Sequence, residues 1–377
     1  MNNRFFRILF SVLLVALMAV SCQLRDLEDP SQVTAIDIRV NVQAVTNVNT
    51  NIRSSVHLYS SNTTLWDEKL EQLDPSVMRV LVYNPNTDKL LTEKLIYANG
   101  VDEHGNRTFK GDLGISYGDY NFLIYNFDTP TTQVTNLDKE SQALAYTDEI
   151  SVTQKARLLG LTKGEGDDND ESEKSDIEKF YENVSIHYEP EHLLVANEKD
   201  VHIAPHDTLV TIETEASTIV DSYYLQIRVV GMQYASEATA VITGLSPSNK
   251  IGLNERTIDP SAAVVFNLQK GIDDSIEDEN KDVLCAVFNT FGKIENVSSE
   301  LRVTFNVVDT AGNLLQHEVN LDSVFNSELA KKYHWLIIEE EEPWVIPNPT
   351  PTPNPDGNNG FQPRVDDWEE QTGEITL

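Results

Sequence analysis

Apolar and polar residues alternate at every second position along much of this chain, and that period limits it to strands. Ile36, Ile38, Val40, Val42 and Ala44 fall on one side while Asp37, Arg39, Asn41 and Gln43 fall on the other, the pattern of a strand buried on one face. The period recurs where Met78, Val80 and Val82 alternate with Val77, Arg79, Leu81 and Tyr83, and again in Tyr120–Tyr125, Leu225–Val229 and Leu301–Val307. Turn residues separate these runs: Asn84-Pro85-Asn86, Glu103-His104-Gly105-Asn106, Tyr117-Gly118-Asp119 and Thr310-Ala311-Gly312-Asn313. Such hairpins predict an all-β protein. Helical period is scarce; its best candidate is Leu65–Leu73, with Thr63 or Thr64 as a cap and Pro75 as a stop.

The N-terminus reads as an export signal. Arg4 and Arg7 precede the apolar run Ile8–Val20, which is short for a membrane span and shaped like a signal-peptide core. It ends in Ala19-Val20-Ser21-Cys22, the kind of sequence that bacterial lipoprotein processing cleaves, although Ala19 stands where that pattern prefers Leu. Residues 1–21 are then the signal peptide, Cys22 the acylated first residue, and 22–32 a lipidated tether. Outer-membrane lipid is the partner expected through Cys22. With Cys22 acylated, Cys285 is the one remaining cysteine, so no intramolecular disulfide forms. Its surroundings, Val283-Leu284-Cys285-Ala286-Val287-Phe288, read as core.

About 355 mature residues suggest two domains. The polar stretch near Glu198–Asp200 reads as the boundary, giving β-sandwiches over 33–198 and 199–346. Between Glu165 and Lys179 apolar residues almost vanish, which reads as a mobile surface insertion. Residues 347–377 form a proline-rich spacer and a final extended segment.

The formal charge is −33, or −35 once Arg4 and Arg7 leave with the signal. So acidic a surface repels nucleic acid. Catalytic patterns are weak. Gly114-Ile115-Ser116-Tyr117-Gly118 spells a nucleophile elbow, but a strand follows where an elbow needs a helix. His202 and His206 are four apart, yet Pro205 forbids the helix that would align them for zinc. A calcium loop begun at Asp167 would place Ser172 where glycine is required, although Glu178 falls on the last ligand position. The expectation is a protein without cofactor, metal or catalysis. Trp66, Trp335, Trp344 and Trp368 are the candidates for stacking on sugars; for Trp335 and Trp344, core roles are the simpler reading.

The signal with Cys22, the strand pair Val77–Tyr83 and Gly118-Asp119-Tyr120-Asn121-Phe122-Leu123-Ile124-Tyr125-Asn126, and the ending Gly360-Phe361…Val365-Asp366-Asp367-Trp368…Glu374-Ile375-Thr376-Leu377 together resemble Bacteroidetes cell-surface lipoproteins related to the minor fimbrial anchor subunits of type V pili. The acidic start Asp26, Glu28, Asp29 resembles the surface-export signal of that group. The resemblance implies two tandem transthyretin-like β-sandwiches and a place at the base or tip of a pilus. It also implies pilus subunits or another surface protein as partners, with strand exchange as the mode of assembly. The acidic insertion and the proline spacer fall outside it.

Pro347, Pro349, Pro351, Pro353 and Pro355 favour an extended polyproline spacer. Beyond it, Phe361 and Val365 share a face, Trp368 lies on the other, and Ile375 and Leu377 alternate again. These five form a candidate docking segment, open to self-docking on its own sheet edge or interdomain groove, to docking on a neighbour, and to the plainer reading of a disordered tail. The sequence thus predicts a surface lipoprotein of the outer membrane acting as a fimbrial anchor or accessory subunit, the alternative being a glycan-binding lipoprotein of a polysaccharide-uptake system.

Overall fold

The computed structural model describes residues 33–43, 48, 55–59, 69, 74–160, 176–205, 207–258, 260–294 and 301–349. The protein is all-β and contains several sheets. Seven strands close a barrel in the order β1 (Val33–Gln43), β11 (Leu209–Thr218), β10 (Leu194–Ile203), β6 (Gly118–Asn126), β3 (Val77–Asn84), β4 (Lys89–Val101) and β5 (Arg107–Ser116). Neighbours are antiparallel except β1 and β11, which run parallel from Ala35↔Leu209 to Gln43↔Ser217.

The alternating residues fill this barrel. Ile36, Ile38 and Val40 of β1 meet Met78, Val80 and Val82 of β3 and Phe122 and Ile124 of β6, all fully buried. Each such side chain contributes about 2 kcal/mol by leaving water. The opposite face of β1 carries charge: Asp37 pairs with Arg39 at 2.9 Å, and Arg39 with Glu213 of β11 at 2.8 Å.

Three further sheets make up the rest. One joins β2 (Val56–Leu58), β17 (Gln269–Asp273), β18 (Asp282–Thr290), β12 (Asp221–Val230) and β21 (Trp335–Ile338), with β22 (Trp344–Val345) beside β12. A second is β20 (Leu314–Asn320), β19 (Arg302–Asp309), β13 (Ala235–Leu245), β16 (Ala262–Asn267) and β9 (Ile186–Tyr188). Between them lies the largest core, where Leu225, Ile227, Leu284 and Phe288 meet Ala240, Ile242, Val303 and Phe305. Cys285 points to the other face of its sheet, buried with Tyr224 and Val287; burial pushes its thiol up to about 12.

The fourth sheet ties the two regions together: β15 (Glu255–Arg256), β14 (Ser248–Lys250), β8 (Leu144–Tyr146) and β7 (Gln133–Thr135). It covers the outer face of the barrel, where Leu81, Tyr83, Leu123 and Tyr125 pack with Ala143, Ala145, Ile251 and Phe291. That is why β3 and β6 are buried on both faces.

The structure differs from the sequence reading in three places. The polar run Asn197–Asp200 is a bulge inside β10, between Glu198 and Val201, with Asp200 at φ 53°. The barrel therefore continues through residue 198 to Thr218, and no sheet divides there. The first region also closes as a barrel, while β2 and β9, from its sequence, edge the sheets of the second. Finally, Asp176–Lys179, at the end of the presumed insertion, begins a helix, Asp176–Tyr181. With the helix Val152–Leu158 it covers the second sheet, Tyr181 bonding Thr304 at 2.8 Å. Residues 161–175 lie outside the described residues, as does the helix expected over Leu65–Leu73 apart from Lys69.

Candidate docking site

Cys22 and the segment bearing Phe361, Val365, Trp368, Ile375 and Leu377 lie outside the described residues. What is described is the point from which that segment departs. Trp344 and Val345 pair in parallel with Val229 and Val230 of β12, the Ile346 amide donates to the Val230 carbonyl at 2.7 Å, and the Ile346 side chain is buried in the main core. Trp344 stacks on His317 with centroids 5.2 Å apart, and His317 bonds Glu340 at 2.9 Å. The start of the spacer is thus fixed to the sheet. Trp335 packs on the opposite face with Ile337, so neither tryptophan forms an open platform.

A cavity of about 620 Å³ opens where the barrel meets the second region. Its walls come from the link between β11 and β12 (Thr218, Ile219, Asp221), from the β14–β15 hairpin (Asn249, Asn254, Glu255, Arg256, Ile258) and from Lys293 and Ile294 after β18. Arg256 pairs with Asp221 at 2.5 Å and lies over Gly292, where a Cβ would stand 2.3 Å from the guanidinium carbon. The Lys293 ammonium sits 5.8 Å from the Phe325 ring centre. Sequence reasoning missed this site because its residues come from three distant segments and no local motif joins them.

The junction beneath it is held by buried polar groups. The Glu140 carboxylate, 4% exposed, accepts from Asn121 at 2.6 Å and pairs with Lys199, which also donates to the Gly252 carbonyl at 2.7 Å. Lys199 sits in the bulge of β10 and keeps its side chain 39% exposed while pairing with that carboxylate. Nearby, Ser222 Oγ donates to Asn289 Oδ1 at 2.8 Å and so accepts from His192 Nε2 at 3.0 Å. Burial holds the His192 imidazole neutral, its pKa lowered to about 4. The Ser222 proton therefore points away from the histidine, opposite to what an activated nucleophile requires.

The other sequence candidates are placed as follows. Ser116 ends β5 and Gly118, at φ 149°, opens β6; β5 pairs with β1 and β4 while β6 pairs with β3 and β10, so the expected hairpin turn is instead a tight link between two strands that are not neighbours in the barrel, and a strand follows Ser116 where an elbow needs a helix. His202 bonds Asp119 at 2.6 Å, and His206 lies outside the described residues. Among the described residues no group of three or more His, Cys, Asp or Glu is placed to hold a metal ion.

The chain belongs to the family DUF5119, a domain of unknown function, which it matches over residues 53–267. It is similar to Fim4B of Bacteroides ovatus, inferred to be a fimbrium anchoring subunit, at 21% identity over 393 residues, covering 97% of this chain and 96% of that one. Among solved structures, an inferred adhesin from Bacteroides ovatus shares the fold with a TM-score of 0.52 at 16% identity, covering 89% of this chain and 94% of that one. The fimbrial anchor protein Mfa2 from Porphyromonas gingivalis aligns with a TM-score of 0.42 at 9% identity, covering 80% and 88%. The resemblance to fimbrial anchor subunits drawn from the sequence is thus met by a relative of that description along nearly the whole chain.

Proposed function

We propose that this protein is a surface lipoprotein of the outer membrane that acts as a fimbrial anchor or accessory subunit. The observation that carries the reading is the near full-length similarity to a fimbrium anchoring subunit. Cys22, after its apolar leader, supplies the tether: acyl chains contribute about 0.8 kcal/mol per buried CH₂. The two β regions correspond to the tandem transthyretin-like domains of such subunits, divided between Thr218 and Asp221. Pilus subunits are the partners, engaged by edge-strand pairing in which main-chain bonds give affinity and alternate side chains give specificity. The role is structural, and no catalytic step is assigned to it. Replacing Cys22 by Ala in producing cells tests the reading. The variant is expected in the soluble fraction, with filaments shed into the medium; filaments retained on cells carrying Cys22→Ala would refute it.

A further inference from the structure

The end of the barrel at which β1 begins carries exposed apolar side chains and little free charge. We propose that this end rests on the outer-membrane lipid, with Tyr117 and Leu209 entering the interface. The inference rests on the reading of Cys22 as the lipid attachment and adds which face of the protein meets the bilayer.

Strand pairing defines that end. Val33 opens β1 opposite Ser116, and Ala35 lies between Gly114 and Leu209. Gly118 opens β6 opposite Ile203, the last residue of β10. The links that close this end are therefore Tyr117, alone between β5 and β6, and residues 204–208 between β10 and β11. The chain passes to and from the second region at the opposite end, where β9 leads into Leu194 and its neighbour Thr218 leads into β12.

Both links are pinned from within. The Tyr120 hydroxyl donates to the Ser116 carbonyl at 3.1 Å, the Thr34 hydroxyl to the Asp207 carbonyl at 2.8 Å, and the Ala204 amide to the Asp207 carboxylate at 2.8 Å. They leave Tyr117 52% exposed and Leu209 60% exposed, with Pro205 also outside. An isolated exposed apolar residue needs no explanation. Two of them flanking the start of β1 put apolar surface where the tether enters. Tyrosine suits a lipid interface, having an apolar ring and a polar tip.

Charge and reach agree. The chain has 61 acidic residues against 28 basic, and so acidic a surface is held off from anionic lipid. At this end, residues 114–119 and 202–209 include two carboxylates, Asp119 and Asp207. The first bonds His202 at 2.6 Å and the second accepts the Ala204 amide. From Cys22 to Val33 the chain spans at most about 40 Å, and the other end of the barrel lies roughly 30 Å farther along the tilted strands. Tyr97 and Val101, 63% and 61% exposed, lie on β4 toward that far end and are the competing face.

The test uses the full lipidated protein in vesicles of phosphatidylethanolamine with a minority of phosphatidylglycerol, part of the lipid bearing a nitroxide on its acyl chain. A fluorophore is attached at Thr208→Cys or, at the far end, at His104→Cys, both exposed positions. Quenching is expected at Thr208→Cys and not at His104→Cys. Adding Tyr117→Ser and Leu209→Ser is expected to lower the ratio of docked to free protein, read at Thr208→Cys, by about tenfold. Flotation with the vesicles but no quenching at Thr208→Cys, or equal quenching at both positions, overturns the docking alone, as does an unchanged ratio after the two serine substitutions. Failure to float refutes the lipid attachment, and the docking falls with it.

Discussion

Gly231 lies against the carbonyl oxygen of Ile346, so close that a Cβ on Gly231 would stand 2.1 Å from it. Its φ of 87° adds a backbone conformation that costs other residues energy. Gly231→Ala is expected to lower stability by about 3 kcal/mol, combining that strain with the forced retreat of the last strand. Urea unfolding of the two proteins measures it; an unchanged midpoint would mean that the strand end is not held where the packing places it.

His192 makes stability depend on pH. The unfolded chain takes up a proton at this residue below about pH 6.5, while the folded chain, where burial disfavours the imidazolium, resists until about pH 4. Unfolding therefore binds a proton between those values, and stability falls as pH falls through that window, by up to about 3 kcal/mol. Above pH 6.5 this contribution is fully present. Denaturant titrations from pH 7.5 to 4 should show the slope in the native protein and a smaller one in His192→Asn.

Lys199→Met strands the Glu140 carboxylate under the β14–β15 hairpin with Asn121 as its remaining side-chain donor. Because the Lys199 side chain is 39% exposed, solvent screens part of the loss, and the expected cost is about 1 kcal/mol. Adding Glu140→Gln should recover part of that loss, and a double-mutant cycle reads the coupling. Strict additivity would show that the pair does not hold the junction.

Cys285 should be silent to thiol reagents in the folded protein. It is fully buried, and its thiol is pushed up to about 12 by that burial, so thiolate is scarce at neutral pH. Labelling by an aromatic disulfide reagent is expected to track global unfolding across a urea series. Rapid labelling without urea would contradict the core position.

The strands were legible because their period is local: Ile36 to Val42 announces its buried face without reference to any partner. What those strands pair with was not. Val77–Tyr83 carries apolar residues on both faces, which hints at double cover, but nothing local says that the cover over Leu81 and Tyr83 comes from Ala143, Ala145 and Ile251, far along the chain. The bulge at Asp200 looked like a linker because polar residues serve both purposes, and only the reach of Lys199 to Glu140 tells them apart. The cavity is less legible still, with Asp221, Arg256 and Lys293 each unremarkable in its own neighbourhood. Cys22 and the terminal segment were readable from the order of their neighbouring residues, and their surroundings lie outside the described residues.

The parallel alignment of β21 and β22 with β12 has a mechanical meaning. Inter-strand hydrogen bonds lie across the strand direction, so tension applied beyond Ile346 loads the Trp335–Ile338 and Trp344–Val345 ladders along their length. Tension entering from the N-terminal side loads β1 in the same manner, between β5 and β11. Pulled from its two ends, the molecule is strained in shear, where a row of bonds must rupture together, and not unzipped one bond at a time.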